Sequence, residues 1–335
     1  MRILAVLVLA SMPAIAAEKL VPFVTGLHEP FGMDFLDGQL VLTEFGGHRI
    51  VQVDSAGKVT VLAGSGKKGL KDGAGSTAEF NAPHNLVVAP DGMIYIADTS
   101  NPGVRKLDPK TGTVQTIAGG TKGFAGDGGP AEKAQFDQAY HVALDADGKN
   151  LYVCDLGNRR IRKIDLKSGT IVTVAGSGKR GVPEDGVKAT EAPLVDPRAV
   201  AVDKAGRLWI LERAGHALRV VEDGKVRTVV GTGEKGLAGD GGPAKSAKMD
   251  GPKFLWIDPT GDVLIADTEN HCIRKYTAKD GKITRIAGTG KKGKDGAGGE
   301  PTSVQLSRPH GVAIGPDGAM YISDSDNGRL LKLTK

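Results

Sequence analysis

Six side chains of differing chemistry recur at one position in the chain, at intervals of about 55 residues. Five of them directly follow a proline, and each lies where a short apolar run begins. Because their types do not repeat, they are the residues that can give a repetitive scaffold a specific site. The set is Phe31, His84, Tyr140, Arg198, Lys253 and His310, with His141 next to Tyr140. We place the candidate ligand-binding site at His84, Tyr140, His141, Arg198, Lys253 and His310.

Two kinds of ligand fit these residue types. Arg198 and Lys253, with His84 and Tyr140, can bind an anion such as a carboxylate, a phosphate or an acidic sugar. The imidazoles of His84 and His310, with or without His141, are instead typical ligands of zinc or another transition metal. A third interpretation is that both imidazoles simply hydrogen-bond to neighbouring loop backbone.

A second set of chemically active residues does repeat. Carboxylates end six apolar runs, and an arginine follows seven residues later in four of these cases, as in Asp98 and Arg105. A ring of carboxylates can bind a cation such as calcium. It can equally accept backbone N–H bonds from its own turns, with the arginine paired to it or to a neighbouring unit. Repetition favours the structural role for Glu44, Asp98, Asp155, Glu212, Asp267 and Asp324.

Both sets lie in a unit of four short apolar runs, seen most clearly in residues 82–119. Runs of four or five β-branched and aromatic residues between Gly, Pro and Asp clusters indicate strands joined by tight turns. The unit predicts a four-stranded antiparallel meander, and it occurs six times. The starts of the first strands and the ends of the second strands then share one face with the Gly-rich loops. The Asp-Gly turns lie on the other face.

The sixth unit lacks its fourth strand at the C-terminal end. Residues 20–24 near the N-terminus have the missing pattern, so this segment is predicted to pair with the last strand and close a ring. Ring closure removes the exposed sheet edges. The sequence therefore predicts an all-β fold, a six-bladed β-propeller of four-stranded antiparallel blades over residues 18–335, closed by the N-terminal strand.

The repeated motifs resemble those of the NHL-repeat propeller family. The resemblance rests on the Gly-rich loops at residues 118–131 and 231–244 and on the run V-L-I-A-D-T-E-N-H-C-I-R-K from Val263 to Lys275. It implies the propeller fold and leaves the activity open, since one fold hosts many functions. Pro83-His84 and Pro309-His310 also resemble metal-binding positions of the peptidyl-hydroxyglycine amidating lyases. Arg198 stands where those enzymes supply another histidine.

Composition and the N-terminal residues indicate the class of partner and the cellular location. The formal charge of +5 is spread along the chain without a basic block, which argues against a nucleic-acid partner. Residues 1–17 have the basic start, apolar run and small-residue end of a signal peptide, so we expect a bacterial secreted or periplasmic protein. No later apolar run is long enough to span a membrane. A monomer with two unpaired cysteines, Cys154 and Cys272, is expected.

Two functions are compatible with the sequence. The first is a secreted binding module that holds a protein partner or a small anionic ligand at the loop-rich channel face. The alternative is a metal-dependent lyase or hydrolase with a site based on His84 and His310, and with a divalent metal, zinc or calcium, as cofactor.

Overall fold

A computed structural model describes residues 17–334 as six antiparallel sheets arranged as a propeller, five with four strands and one with a short fifth strand. The predicted signal peptide lies outside the described residues, apart from residue 17. No helix in the described part of the chain is long and apolar enough to cross a membrane. The predicted all-β six-bladed propeller is confirmed.

The strands follow the chain blade by blade. The N-terminal strand β1 is Lys19–Thr25, and blade one contains β2 (Pro30–Leu36), β3 (Gln39–Glu44), β4 (Arg49–Val53) and β5 (Val59–Ala63). After the short β6 (Gly73–Ala74), blade two contains β7 (Pro83–Val88), β8 (Ile94–Asp98), β9 (Gly103–Asp108) and β10 (Thr113–Gly119). Blade three contains β11 (Ala139–Leu144), β12 (Asn150–Asp155), β13 (Arg160–Asp165) and β14 (Ile171–Ala175).

The second half of the chain repeats this order. Blade four contains β15 (Pro197–Val202), β16 (Leu208–Glu212), β17 (Ala217–Glu222) and β18 (Lys225–Val230). Blade five contains β19 (Phe254–Ile257), β20 (Val263–Asp267), β21 (Cys272–Thr277) and β22 (Lys282–Ala287). Blade six contains β23 (Gly311–Ile314), β24 (Met320–Asp324) and β25 (Arg329–Thr334), with β1 as its fourth strand. One-turn 3-10 helices occupy Ala131–Lys133, Ala244–Ser246, Thr268–Asn270, Pro301–Ser303 and Ser325–Asn327.

The N-terminal strand closes the ring, as predicted. Strand β1 pairs antiparallel with β25, with Leu20 opposite Leu333 and Thr25 opposite Arg329. Leu20 is fully buried and packs with Val304 and Leu306 of the loop that leads into blade six. Strand β1 therefore contributes both ladder hydrogen bonds and apolar contacts to blade six.

The repeated carboxylates fasten each blade internally. Asp98 is fully buried and accepts hydrogen bonds from Arg105 Nη1 at 2.8 Å and from the side chain of Asn101 at 2.9 Å. The sequence predicted that each carboxylate accepts a backbone N–H of the turn that follows it. This prediction was wrong for Asp98, because the backbone N–H that it accepts, at 2.8 Å, belongs to Asn81, which precedes β7. Buried carboxylates with such partners have a structural role.

The paired arginines also hold the loops between blades. Arg105 donates to the carbonyl oxygen of Lys71 and to Asp72, which lie in the loop before blade two. Arg162 and Arg274 repeat this arrangement with Asp127 and Asp240. Two of these fully buried guanidinium groups also lie over loop aromatic rings, Arg105 at 5.0 Å from the Phe80 centroid and Arg162 at 4.8 Å from the Phe136 centroid. The loop, the turn and the strand thus form one unit in each blade.

Candidate functional site

The predicted site residues occupy irregular positions in the innermost strands. The pairing register of β7 shifts between Pro83 and Asn85, which leaves His84 at the irregularity. The same shift surrounds Tyr140 and His141 in β11, and Arg198 in β15. Lys253 and His310 lie directly before β19 and β23. Such bulges re-aim side chains, and here they direct these side chains away from the regular ladder.

The structure brings the predicted residues together in a buried cluster. We expected exposed side chains at the channel mouth, but His84 is only 1% exposed, His310 2% and Lys253 3%. His141 and Arg198 are also buried, and Tyr140 is partly buried. The reason is aromatic packing: Phe31 stacks on Phe45 at 4.4 Å between ring centroids and on His310 at 3.9 Å. We call His84, Tyr140, His141, Arg198, Lys253 and His310 the channel cluster.

Arg198 connects members of the cluster from different blades. Its Cζ lies 3.6 Å from the centroid of the Tyr140 ring, and its Nη2 lies 2.8 Å from His84 Nε2. The stacked contact puts Tyr140 against the face of the guanidinium and leaves the in-plane N–H groups for other acceptors. No ion pair is formed by Arg198 in the described residues. It differs in this from Arg105, Arg162, Arg219 and Arg274, each of which meets a carboxylate of its own blade.

Lys253 and His310 have local partners. Lys253 Nζ lies 2.6 Å from Glu269 Oε1, and Arg308 contacts the same carboxylate oxygen at 3.1 Å. His310 Nδ1 lies 2.8 Å from the carbonyl oxygen of Arg308. Because a carbonyl can only accept, the proton of neutral His310 resides on Nδ1. Glu269, which follows β20, was not among the predicted site residues.

The fully buried polar atoms of the cluster that lack a partner in the described residues are donors. His84 Nε2 accepts from Arg198, so the neutral ring carries its proton on Nδ1. His141 Nδ1 lies 3.5 Å from the Val200 N–H, so its proton is on Nε2. Four of the five buried side-chain nitrogens or oxygens without a partner in the described residues belong here: His84 Nδ1, His141 Nε2, Arg198 Nε and Arg198 Nη1. Each is an N–H donor that lacks an acceptor.

The electrostatics of the cluster follow from burial. Burial lowers the pKa of Arg198 to about 10 and that of Lys253 to about 8, so both cations are charged at neutral pH. Burial, with Arg198 nearby, lowers the pKa of His141 to about 3 and holds the pKa of His84 well below its usual value. These histidines are neutral at neutral pH. The cluster therefore carries two positive charges, and Glu269 is the carboxylate paired with one of them.

The pair His84 and His310 offers a metal ion at most one imidazole. A ligating imidazole must present a lone pair, and the lone pair of His84 faces Arg198, whereas His310, whose Nδ1 faces a carbonyl oxygen, keeps a lone pair on Nε2. The two rings are 6.0 Å apart between centroids. Among residues 17–334, no group of three or more His, Cys, Asp or Glu side chains could hold a metal ion. The residues present fit neither a zinc site at the cluster nor a calcium site at the repeated carboxylates.

A cavity lies in the channel beside the cluster. It has a volume of about 210 Å³ and is lined by strands β2, β7, β11, β15 and β19, with His141 and Phe254 among its residues. A second cavity of about 600 Å³ shares Leu144, Val202, Trp256 and Ile257 with the first and reaches residues 258–261 of the turn after β19. The two cavities are therefore neighbours, and the outer one lies toward the face of the Asp-Gly turns.

Two polar residues of the channel wall were missed from the sequence. Asp34 accepts the Val88 N–H at 2.7 Å, and Asn85 accepts the Val142 N–H at 2.8 Å. Together with His141 they link consecutive innermost strands. Burial raises the pKa of Asp34 to about 6. Both residues could have been recognised in the sequence, because each is a polar side chain that interrupts the apolar run of a first strand.

The family model described as NHL repeat matches residues 249–276 and 306–333. These ranges include β19 to β21 and β23 to β25. NHL repeat-containing protein 2 from Bos taurus is 27% identical over 330 residues, which covers 89% of this chain and 45% of that protein. Protein SUPPRESSOR OF QUENCHING 1, chloroplastic, from Arabidopsis thaliana is 27% identical over 300 residues, which covers 83% of this chain and 27% of that protein. The chain spans less than half of each relative.

Solved structures share the fold. An auxiliary nutrient binding protein from Bacteroides thetaiotaomicron has a TM-score of 0.70 at 14% identity, over 95% of this chain and 76% of that chain. Virginiamycin B lyase from Staphylococcus aureus has a TM-score of 0.55 at 14% identity, over 95% of this chain and 99% of that chain. At these identities the similarity concerns the architecture alone. The chain forms a six-bladed propeller, and its residues 249–276 and 306–333 match the NHL repeat.

Proposed function

We propose that this NHL-repeat propeller is a binding protein that holds a small anionic ligand, such as a carboxylate, at the channel cluster. The observation that carries the proposal is the set of four buried N–H donors on His84, His141 and Arg198 without acceptors. A buried donor without a partner is costly, at about 1–3 kcal/mol. A carboxylate is acceptor-only and matches guanidinium geometry.

The charges support the same ligand class. Arg198 and Lys253 are both cationic at neutral pH, and only Lys253 forms an ion pair in the described residues. The charge of Asp196 favours the charged form of Arg198, but Asp196 forms its ion pair with Arg213. An anion beside Arg198 therefore adds a direct partner that the described residues do not give it. The auxiliary nutrient binding protein with the same architecture shows that such a propeller can serve binding.

Calorimetric titration of the purified protein with acetate, formate and inorganic phosphate tests the proposal. We expect at least one of these anions to bind, and Arg198→Gln to weaken that binding by about 1.5–3 kcal/mol, the contribution of a charge-assisted hydrogen bond. Arg180→Gln is the matched control, because Arg180 is exposed in a loop between blades. The proposal fails if none of the anions binds, or if Arg198→Gln binds as tightly as the wild type.

We further propose that the protein acts outside the bacterial cytoplasm, on the pattern of residues 1–17. N-terminal sequencing of the protein recovered from cell fractions checks this. A chain that begins near residue 18 in the periplasm or medium is expected. A full-length chain confined to the cytoplasm contradicts it.

A further inference from the structure

We infer that the ligand is an amphipathic monoanion, a carboxylate with an apolar chain or ring, and that it enters from the face of the Asp-Gly turns. The inference rests on the proposed anion site and adds two points, the apolar nature of the rest of the ligand and the route by which the ligand enters. The observation behind it is the wall of the inner cavity beside His141. Apart from Asp34, Asn85 and His141, the residues that line the inner cavity are apolar.

The lining of the inner cavity is mostly apolar, and its polar side chains are those of Asp34, Asn85 and His141. His141, with its unpartnered Nε2, lines the cavity, and Arg198 precedes the lining residue Val200 by two positions. Below this level the wall is formed by side chains of five strands, including Leu86, Val142 and Leu255. From Arg198 to Val202 strand β15 extends roughly 13 Å, which is enough for a chain of several methylenes. A ligand that is charged throughout would leave this apolar wall unused.

The polar wall residues have hydrogen-bond partners of their own. The two oxygens of Asp34 accept the N–H groups of Phe35 and Val88. Asn85 accepts the Val142 N–H. Because the pKa of Asp34 is about 6, this side chain is anionic at neutral pH and disfavours a carboxylate beside it. Lys204 and Arg207 line the outer cavity, and the cluster is the part of the described channel with buried donors that lack an acceptor. The head group is therefore placed at the cluster and the apolar part points away from it.

The entry route of the ligand is inferred from the residues that lie at each end of the channel. On the loop-rich face, Phe45, Phe31 and His310 are stacked over the cluster, and Phe31 is only 6% exposed. On the other face, the outer cavity of about 600 Å³ continues from the inner one past Trp256 and Ile257. A ligand from that side reaches the cluster without displacing the aromatic stack. This places the entrance opposite to the loop-rich face that the sequence favoured.

Titration with acetate and octanoate tests the inference in the wild-type protein. We expect octanoate to bind at least a hundredfold more tightly, because each buried methylene strengthens binding roughly fourfold. Octylammonium, with the same chain and a cationic head, is expected not to bind. Ala201→Phe, which fills the inner cavity, is expected to weaken octanoate at least tenfold and to leave acetate within about twofold. Ala56→Phe, in an exposed turn away from the channel, is the matched control.

The outcomes separate this inference from the proposed function. If acetate and octanoate bind equally and both depend on Arg198, the anion site stands and the amphipathic ligand is excluded. If Ala201→Phe leaves octanoate binding unchanged, the inferred path is wrong. Should Ala201→Phe fail to fold, Trp256→Ala replaces it, with octanoate weakened at least fivefold and acetate unchanged. Binding of neither anion, or binding independent of Arg198, overturns the proposed function as well.

Discussion

A buried guanidinium without a carboxylate partner is costly, because desolvation of the charge is not repaid by a nearby opposite charge. The buried arginines of the repeat avoid this cost through carboxylates of their own blade, as Arg105 does with Asp98. Arg198 has instead the ring of Tyr140 and one imidazole nitrogen. Buried arginine thus has two roles in this molecule, and the arginine without an ion-pair partner in the described residues, Arg198, marks the site.

Sequence reasoning found the site residues because they depart from the repeat, but it could not find their partners. His84 and Arg198 are 114 positions apart and come from different blades. Their contact depends on side-chain directions at the bulges, which the residue types alone do not determine. The burial of the cluster was missed for a similar reason, since it requires Phe45 to stack on Phe31.

At the residue scale, the neutral buried histidines predict loss of stability in acid. Burial lowers the pKa of folded His141 to about 3, whereas the unfolded side chain titrates near 6.5. Between these values the unfolded chain binds the extra proton, so stability falls as the pH drops below about 6.5. From pH 7.5 to 5, wild type should lose about 2 kcal/mol more than His141→Gln in urea denaturation.

His28→Gln serves as the control for this measurement, because His28 is exposed. Its pH dependence is expected to follow that of the wild type. If His141→Gln loses as much stability in acid as the wild type, the buried neutral state of His141 is incorrect.

At the scale of the element, short apolar runs and turn residues sufficed to locate the strands. Ile94–Asp98 and Val263–Asp267 begin and end where the Gly, Asp and Pro residues place them. The two-residue strand Gly73–Ala74 was not predicted, because its pairing with Val114 of β10 has no apolar or turn signal in the sequence. The donors to the repeated carboxylates were also misplaced, since they come from the segment before each first strand.

The repeated carboxylates provide the test at this scale. Asp267→Ala removes one of the two carboxylate partners of buried Arg274, Asp240 being the other, and the acceptor of the Asp250 N–H and of the Asn270 side chain. We expect a loss of about 3 kcal/mol in the free energy of unfolding, measured by urea denaturation, because two buried donors lose their acceptor and a buried charge loses one of its partners. Asp147→Ala, in an exposed pair with Lys149, is the control and should leave the midpoint unchanged.

A different result would reassign these residues. If Asp267→Ala keeps wild-type stability but abolishes binding of the anion, the carboxylate belongs to the binding site. Equal midpoints for Asp267→Ala and Asp147→Ala, with binding intact, would show that the buried network contributes nothing to stability.

At the scale of the whole molecule, ring closure creates the channel. The count of five fourth strands and one matching N-terminal segment predicted the closure, and the pairing of β1 with β25 confirms it. The count could not tell which end of the channel is open, because that depends on aromatic packing on one face and on turn residues on the other. The architecture was therefore predictable from the sequence, and the access route was not.

Removal of β1 tests the closure. A chain that begins at residue 27 lacks Leu20 and the whole ladder with β25, so it exposes two sheet edges and part of the core of blade six. We expect its thermal unfolding midpoint to fall by at least 10 °C, or the chain to aggregate. A chain that begins at residue 18 keeps β1 and is the control. Equal midpoints for the two chains would contradict closure by β1.

The most direct test of the anion site is a crystal soaked in 4-bromobenzoate, whose bromine marks the apolar end by anomalous scattering. We predict a carboxylate oxygen within about 3.2 Å of Arg198 Nε or Nη1, with the bromine in the channel between Arg198 and the turn face. Bromine peaks confined to surface lysines, with both Arg198 nitrogens still without an acceptor, would contradict the proposal that this propeller binds an anion in its channel.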